Sequence, residues 1–228
     1  MKLDQEVELP GREDPRRATF LELFFDLIYV FVLVQLSSRV VGNLETVRGA
    51  AGLDRLFFES GKAVMLLLAM WSVWWATAWT TSRYNPQRLR IQAIVILAIF
   101  CSLVMALSLP LAFSDYALAF AVAYVVTQVG RPAILATALG GERRRLKLRI
   151  LIIFSATGVL WITGAVIGGG AQRALWVLAL ATELVASRLG WPFPGLGRSR
   201  PQEWTIAGEH LGERYQQFFL IVLGESIL

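Results

Sequence analysis

Apolar residues run through this chain in blocks as long as a bilayer is thick, separated by short polar gaps, and little else can be built from such a pattern. A crossing helix needs roughly 17–25 mostly apolar residues. Six blocks meet that length, at residues 20–41, 56–80, 91–112, 116–139, 150–167 and 171–189, and a seventh begins at 211 and reaches the last residue, 228. The expected fold is therefore all-α: a polytopic transmembrane helical bundle of six spans plus the start of a seventh, with residues 1–18 as a polar tail and 19–228 as the membrane domain. Composition agrees, since 56% apolar and 17% charged residues depart from the 45–50% and about 25% of soluble domains.

The gaps behave as turns. Residues 83–90 hold Asn85-Pro86, residues 108–114 hold Pro110, residues 168–170 are three glycines, and residues 191–204 are rich in Pro and Gly. Lys and Arg collect in alternate gaps. The tail carries Lys2, Arg12, Arg16 and Arg17; the second gap Arg83, Arg88 and Arg90; the fourth Arg143, Arg144, Arg145, Lys147 and Arg149; the sixth Arg188, Arg198 and Arg200. The third gap has none and the fifth only Arg173, while the first, with Arg39, Arg48, Arg55 and Lys62, departs from the alternation. The positive-inside rule then puts the N-terminus and the even gaps in the cytoplasm of a cell membrane. Topology explains the net charge of +5 without nucleic acid as a partner; the bilayer is the partner expected. Trp75 and Trp79 fall where an interfacial aromatic belt would lie.

Ionisable residues inside the blocks carry the functional information, because a central charge costs about 2.5–3.5 kcal/mol on insertion scales. Glu22 and Asp26 lie at i and i+4 on the first span, with Tyr29 and Leu33 continuing their face. Asp26 sits roughly 9–10 Å from the end of its helix, and Arg131, on the fourth span, about 12 Å from the same surface. The two are expected to pair or to share a polar cavity. Glu183 belongs to the same half. The last segment opens with His210, Glu213 and Arg214, and Arg214, Phe218, Ile221 and Glu225 follow one helical stripe. The candidate intramembrane set is thus Glu22, Asp26, Arg131, Glu183, Glu213, Arg214 and Glu225. It admits two readings: a path for an ion, proton or small solute, or a structural lock that fixes helix register.

No constellation for catalysis, a cofactor or a metal is visible. His210 is the single histidine and Cys101 the single cysteine, and the three glycines lack the Lys-Ser/Thr of a phosphate loop. Enzyme activity is not expected.

Two motifs carry a family resemblance. Arg17-Ala-Thr-Phe-Leu-Glu22-Leu-Phe-Phe-Asp26-Leu-Ile-Tyr-Val30 with Gln35-Leu36, and His210-Leu-Gly-Glu213-Arg214 through Phe218 to Leu223-Gly224-Glu225-Ser226-Ile227, resemble the opening and central helices of the low temperature requirement protein A (LtrA) family of bacterial membrane proteins. Members of that family are commonly longer, so the resemblance implies that this chain holds about the first half. The family name records a growth phenotype in the cold, and no settled activity or set of functional residues comes with it. The opening helix also resembles, more faintly, that of a potassium-channel family built from a repeated six-helix unit. By that analogy the chain would be the first half of a duplicated unit; the sequence allows an oligomer without specifying one.

Overall fold

In a computed structural model of the chain, residues 20–45, 50–85, 87–139, 141–194 and 208–225 are described. They form seven α-helices and no strand: α1 Phe20–Glu45, α2 Ala50–Arg83, α3 Leu89–Ser108, α4 Ala117–Ala138, α5 Gly141–Ile167, α6 Gly169–Arg188 and α7 Gly208–Glu225. The expected polar tail, residues 1–18, lies outside the described residues.

The breaks between helices come from identifiable residues. Between α2 and α3 the Asn85 side chain accepts a hydrogen bond from the Gln87 amide (3.0 Å), a local turn that competes with helix. Pro110 sits in the first turn of a short 3-10 segment, Leu109–Leu111, that ends α3. Between α5 and α6 both Gly168 (φ 74°) and Gly169 (φ 61°) are left-handed, a conformation that glycine adopts without steric cost and that lets the chain reverse in one step.

Four stretches are long and apolar enough to cross a membrane among the described residues: Glu59–Arg83, Leu89–Leu111, Ala117–Ala138 and Arg144–Ile167. They coincide with the second to fifth expected spans. Helix α6, expected as the sixth, falls outside this set because Gln172, Arg173, Glu183 and Arg188 dilute its apolar residues. Helix α5 starts nine residues before the expected 150, so Lys147 and Arg149 are buried helical residues (4% and 2% exposed) where a loop was expected. The helix simply continues past the apolar block that announced it.

Helices α3 to α6 pack in sequence, each against the next, while α1 packs against α2, α3 and α7. Lipid is as apolar as leucine, so close contact and internal hydrogen bonds hold such a bundle together. Small buried residues permit the approach: Ala69, Ala78, Ala98, Ala106, Ala121 and Ala179 are all at most 1% exposed. Large apolar residues such as Phe100, Leu107, Val159 and Val166 point outward, 64–70% exposed. Inside, Trp161 and Trp176 meet with ring centroids 4.8 Å apart, and Phe120 stacks on Trp176 at 5.6 Å. The Trp176 indole donates to the Trp161 carbonyl (2.9 Å). A tight crossing lies at Gly164, where an added Cβ would lie 2.9 Å from the Trp176 ring and 3.3 Å from the Gln172 carbonyl oxygen.

Gly164→Leu should force α5 and α6 apart and destabilise the fold by about 1–3 kcal/mol; a lowered melting temperature in detergent is the expected readout, with Gly61→Ala, which meets open space inside α2, as the control that does not destabilise.

Candidate functional site

Asp26 faces inward from the second turn of α1 and is fully buried. Its Oδ1 accepts two hydrogen bonds, one from the Trp74 indole of α2 (2.8 Å) and one from the Arg214 guanidinium of α7 (2.6 Å). Glu22, one turn earlier and 1% exposed, has Oε1 3.6 Å from Arg214 Nη1. That same Nη1 donates to the Thr81 hydroxyl (2.8 Å). Thr81 in turn donates to the Ala78 carbonyl (3.2 Å), so the chain of bonds closes on the backbone. One arginine, 1% exposed, therefore joins three helices. Helix α7 is seated beside it on an aromatic platform, with Trp74 against Tyr215 (5.1 Å) and Phe218 (4.8 Å).

The expected meeting of Asp26 with Arg131 does not occur. The expectation rested on similar depth counted along the helices, and depth says nothing of which helices are neighbours. Helix α1 packs against α2, α3 and α7, and Arg214 of α7 takes the place assigned to Arg131.

Arg131 belongs to a second polar group. Its Nη2 donates to the Gln128 side chain (2.9 Å), and its Nη1, buried, has no hydrogen-bond partner. Gln128 donates onward to Ser72 (3.1 Å) and Tyr124 (3.3 Å). Tyr124, Gln128 and Arg131 share one face of α4 at i, i+4 and i+7. Tyr124 donates to the carboxyl of Glu183 of α6. Glu183 also accepts from Thr157 (2.7 Å) and Trp161 (3.3 Å) of α5, so three neutral donors hold this buried carboxyl. Pro132, next to Arg131, has no N–H to give and leaves the backbone carbonyl of Gln128 without its usual helical donor.

This second group borders a cavity of about 640 Å³ among α2, α4, α5 and α6. Gln128, Arg131, Lys147 and Glu183 supply its buried polar wall, and Trp71, Trp75, Trp79, Phe154 and Trp191 much of its apolar one. Asp26, Glu22 and Arg214 do not line it. Trp79 is 7% exposed, part of the cavity wall where a lipid-facing belt residue was expected. Trp191 closes the cavity where α6 ends. Its amide bonds the Ala186 carbonyl (2.8 Å) while Gly190 bonds Ser187 (3.4 Å), the 6→1 and 5→2 pair of a Schellman cap. Trp191 itself has φ 56°, a conformation costing about 1–3 kcal/mol for a bulky side chain. Its indole packs on Phe154 at 5.3 Å.

Of the seven residues singled out in the sequence, the structure brings Glu22, Asp26 and Arg214 into one cluster and Arg131 and Glu183 into another. The side chains of Glu213 and Glu225 lie outside those described, although both residues are helical. Sequence reasoning passed over Trp74, Thr81, Gln128, Tyr124 and Lys147. The i, i+4, i+7 stripe on α4 and the i, i+7 spacing of Trp74 and Thr81 were available signals; Lys147 was hidden among the basic residues of its gap.

Removing Arg214 strands two buried carboxyls. Arg214→Leu should destabilise the protein by about 3–5 kcal/mol, and combining it with Glu22→Gln and Asp26→Leu should recover a substantial part of that loss in detergent melting curves.

Comparison with known proteins covers nearly the whole chain. Residues 17–228 match the model of the family described as bacterial low temperature requirement A protein (LtrA). An uncharacterized protein of Rhizobium meliloti (strain 1021) is 34% identical over 221 residues, covering 94% of this chain and 51% of the relative. The chain thus spans about half the length of the curated relative it matches. No solved structure matches it. The two motifs at either end of the chain, the apolar helices between them and the family match together make this chain a member of the LtrA family, an integral membrane protein.

Proposed function

We propose that this protein moves a small solute or ion across the membrane, with the cavity bordered by Gln128, Arg131, Lys147 and Glu183 as its binding site and Glu22, Asp26 and Arg214 as the lock that holds the helices around it. The observation that carries this reading is the cavity itself. Its volume, about 640 Å³, falls within the range of small-molecule sites, and Gln128, Arg131 and Lys147 of its polar wall stand on helices long and apolar enough to cross a membrane, where ionisable side chains are costly to insert. Arg131 lines the cavity and keeps Nη1 without a partner, a donor that a bound solute could use.

The competing non-transporting reading is favoured by the first cluster and is absorbed into the proposal there. Asp26 is fully buried, bound to an arginine and an indole, and away from the cavity wall. Such an arrangement fixes helix positions and offers nothing for a solute to touch. We place the end where α2, α4 and α6 finish in the cytoplasm, because Arg83, Arg88, Arg90, Arg144, Arg145 and Arg188 gather there. The cavity would then open toward the cytoplasmic half of the bilayer.

Flux measured with the full-length protein in liposomes tests the assignment. Arg131→Gln or Glu183→Gln should lower flux at least about tenfold, the loss of one charge-assisted contact, with the protein still folded. Asp26→Asn should act by lowering the melting temperature. No flux of inorganic cations, protons or small organic anions, or flux that ignores the cavity substitutions, would contradict the proposal.

A further inference from the structure

The cavity has a sign. Three cationic side chains line it, Arg131, Lys147 and Arg188, against the single carboxyl of Glu183. That carboxyl makes no contact ion pair with them. It is engaged by Tyr124, Thr157 and Trp161, all neutral donors, and no lysine or arginine among the described residues lies within ion-pair distance of it.

The cations are correspondingly open. Arg131 is 7% exposed, makes one side-chain hydrogen bond, to neutral Gln128, and has Nη1 without a partner. Lys147 is 4% exposed, and its ammonium lies over the rings of Trp79 (4.8 Å) and Tyr84 (5.6 Å), with no carboxylate of the described residues paired to it. Two buried basic side chains held by a neutral amide and by aromatic faces are poorly compensated as cations in a low-dielectric interior, and a bound anion compensates them best and holds the lysine charged. The rest of the wall is apolar and aromatic. Trp191, held at a positive φ, gives it a rigid edge.

We infer that this cavity is a binding site for an amphipathic organic anion, its carboxylate or phosphate head between Arg131 and Lys147 and its apolar body against Trp75, Trp79, Phe154 and Trp191. The inference deepens the transport reading and rests on the cavity being the solute site. A lipid headgroup phosphate and a free organic anion share this chemistry. The arrangement disfavours a metal cation, because the approaching charge would meet two buried cations first.

The test uses the full-length protein in phosphatidylcholine nanodiscs, titrated with hexanoate, hexyl phosphate and hexyltrimethylammonium. Calorimetry and the fluorescence of the cavity tryptophans read the binding. The anions should bind at least about tenfold more tightly than the cation of equal chain length, and added salt should weaken them. Arg131→Gln and Lys147→Met should each weaken hexyl phosphate about tenfold or more. Arg188→Gln, at an exposed position, should matter less. Should either buried substitution prevent folding, the wild-type preference between anion and cation decides alone. Phosphatidylglycerol in the disc that competes with hexyl phosphate identifies a lipid headgroup as the natural anion; absence of competition identifies a free solute. Equal binding of the ammonium probe, or no binding of either anion, overturns the inference. Anion binding without flux would overturn transport and leave the site standing, whereas flux of a cation without anion binding would do the reverse.

Discussion

Arg214 is the interaction on which the arrangement depends. A guanidinium at 1% exposure reaches the carboxyls of Glu22 and Asp26 on α1 and the hydroxyl of Thr81 on α2, and thereby fixes α7, the last described helix, against the first two. In a bundle surrounded by lipid, apolar contact alone selects weakly among helix orientations, because lipid offers the same contact. A buried charge with one satisfactory set of partners does select, since every other orientation leaves it unpaired. The Trp71–Trp74 platform under Tyr215 and Phe218 then fills the remaining space around it.

With α7 and α1 held in this way, the bundle has two polar interiors of different character. In the α1, α2, α7 cluster the acids meet their arginine and no residue of it lines the cavity. The α2, α4, α5, α6 group is open, its cations facing a cavity instead of acids. Helix α2 belongs to both, with Trp74 and Thr81 turned to the lock and Ser72, Trp75 and Trp79 to the cavity. A structural device and a binding device share one helix while facing different ways, so substitutions on either face separate stability from binding.

Much of this was legible in the residues. The span-length blocks announced α1 to α7 with boundaries within a few residues for most, and the cost of burying charge marked Glu22, Asp26, Arg131, Glu183 and Arg214 as residues needing an explanation. Depth could be counted along each helix at 1.5 Å per residue, which is what matched Asp26 with Arg131. What counting could not supply was the order of helices around the bundle. Arg214 opens its helix and was not weighed as a partner for Asp26; only the packing of α1 against α7 brings it there. Lys147 was missed for a related reason. Its basic neighbours read as a loop, yet α5 begins at Gly141 and carries that lysine inward as part of a helix.

Access of water to the two interiors tests this division most directly. With Cys101 replaced by serine, cysteines would be introduced one at a time at Ser72 and Ser187 on the cavity wall and at Thr81 beside Arg214, and exposed to a charged, membrane-impermeant thiol reagent in sealed vesicles of known orientation. The account predicts modification of Ser72→Cys and Ser187→Cys from the side where α2, α4 and α6 end, with Thr81→Cys protected. Equal reaction at all three positions, or protection of all three, would contradict it.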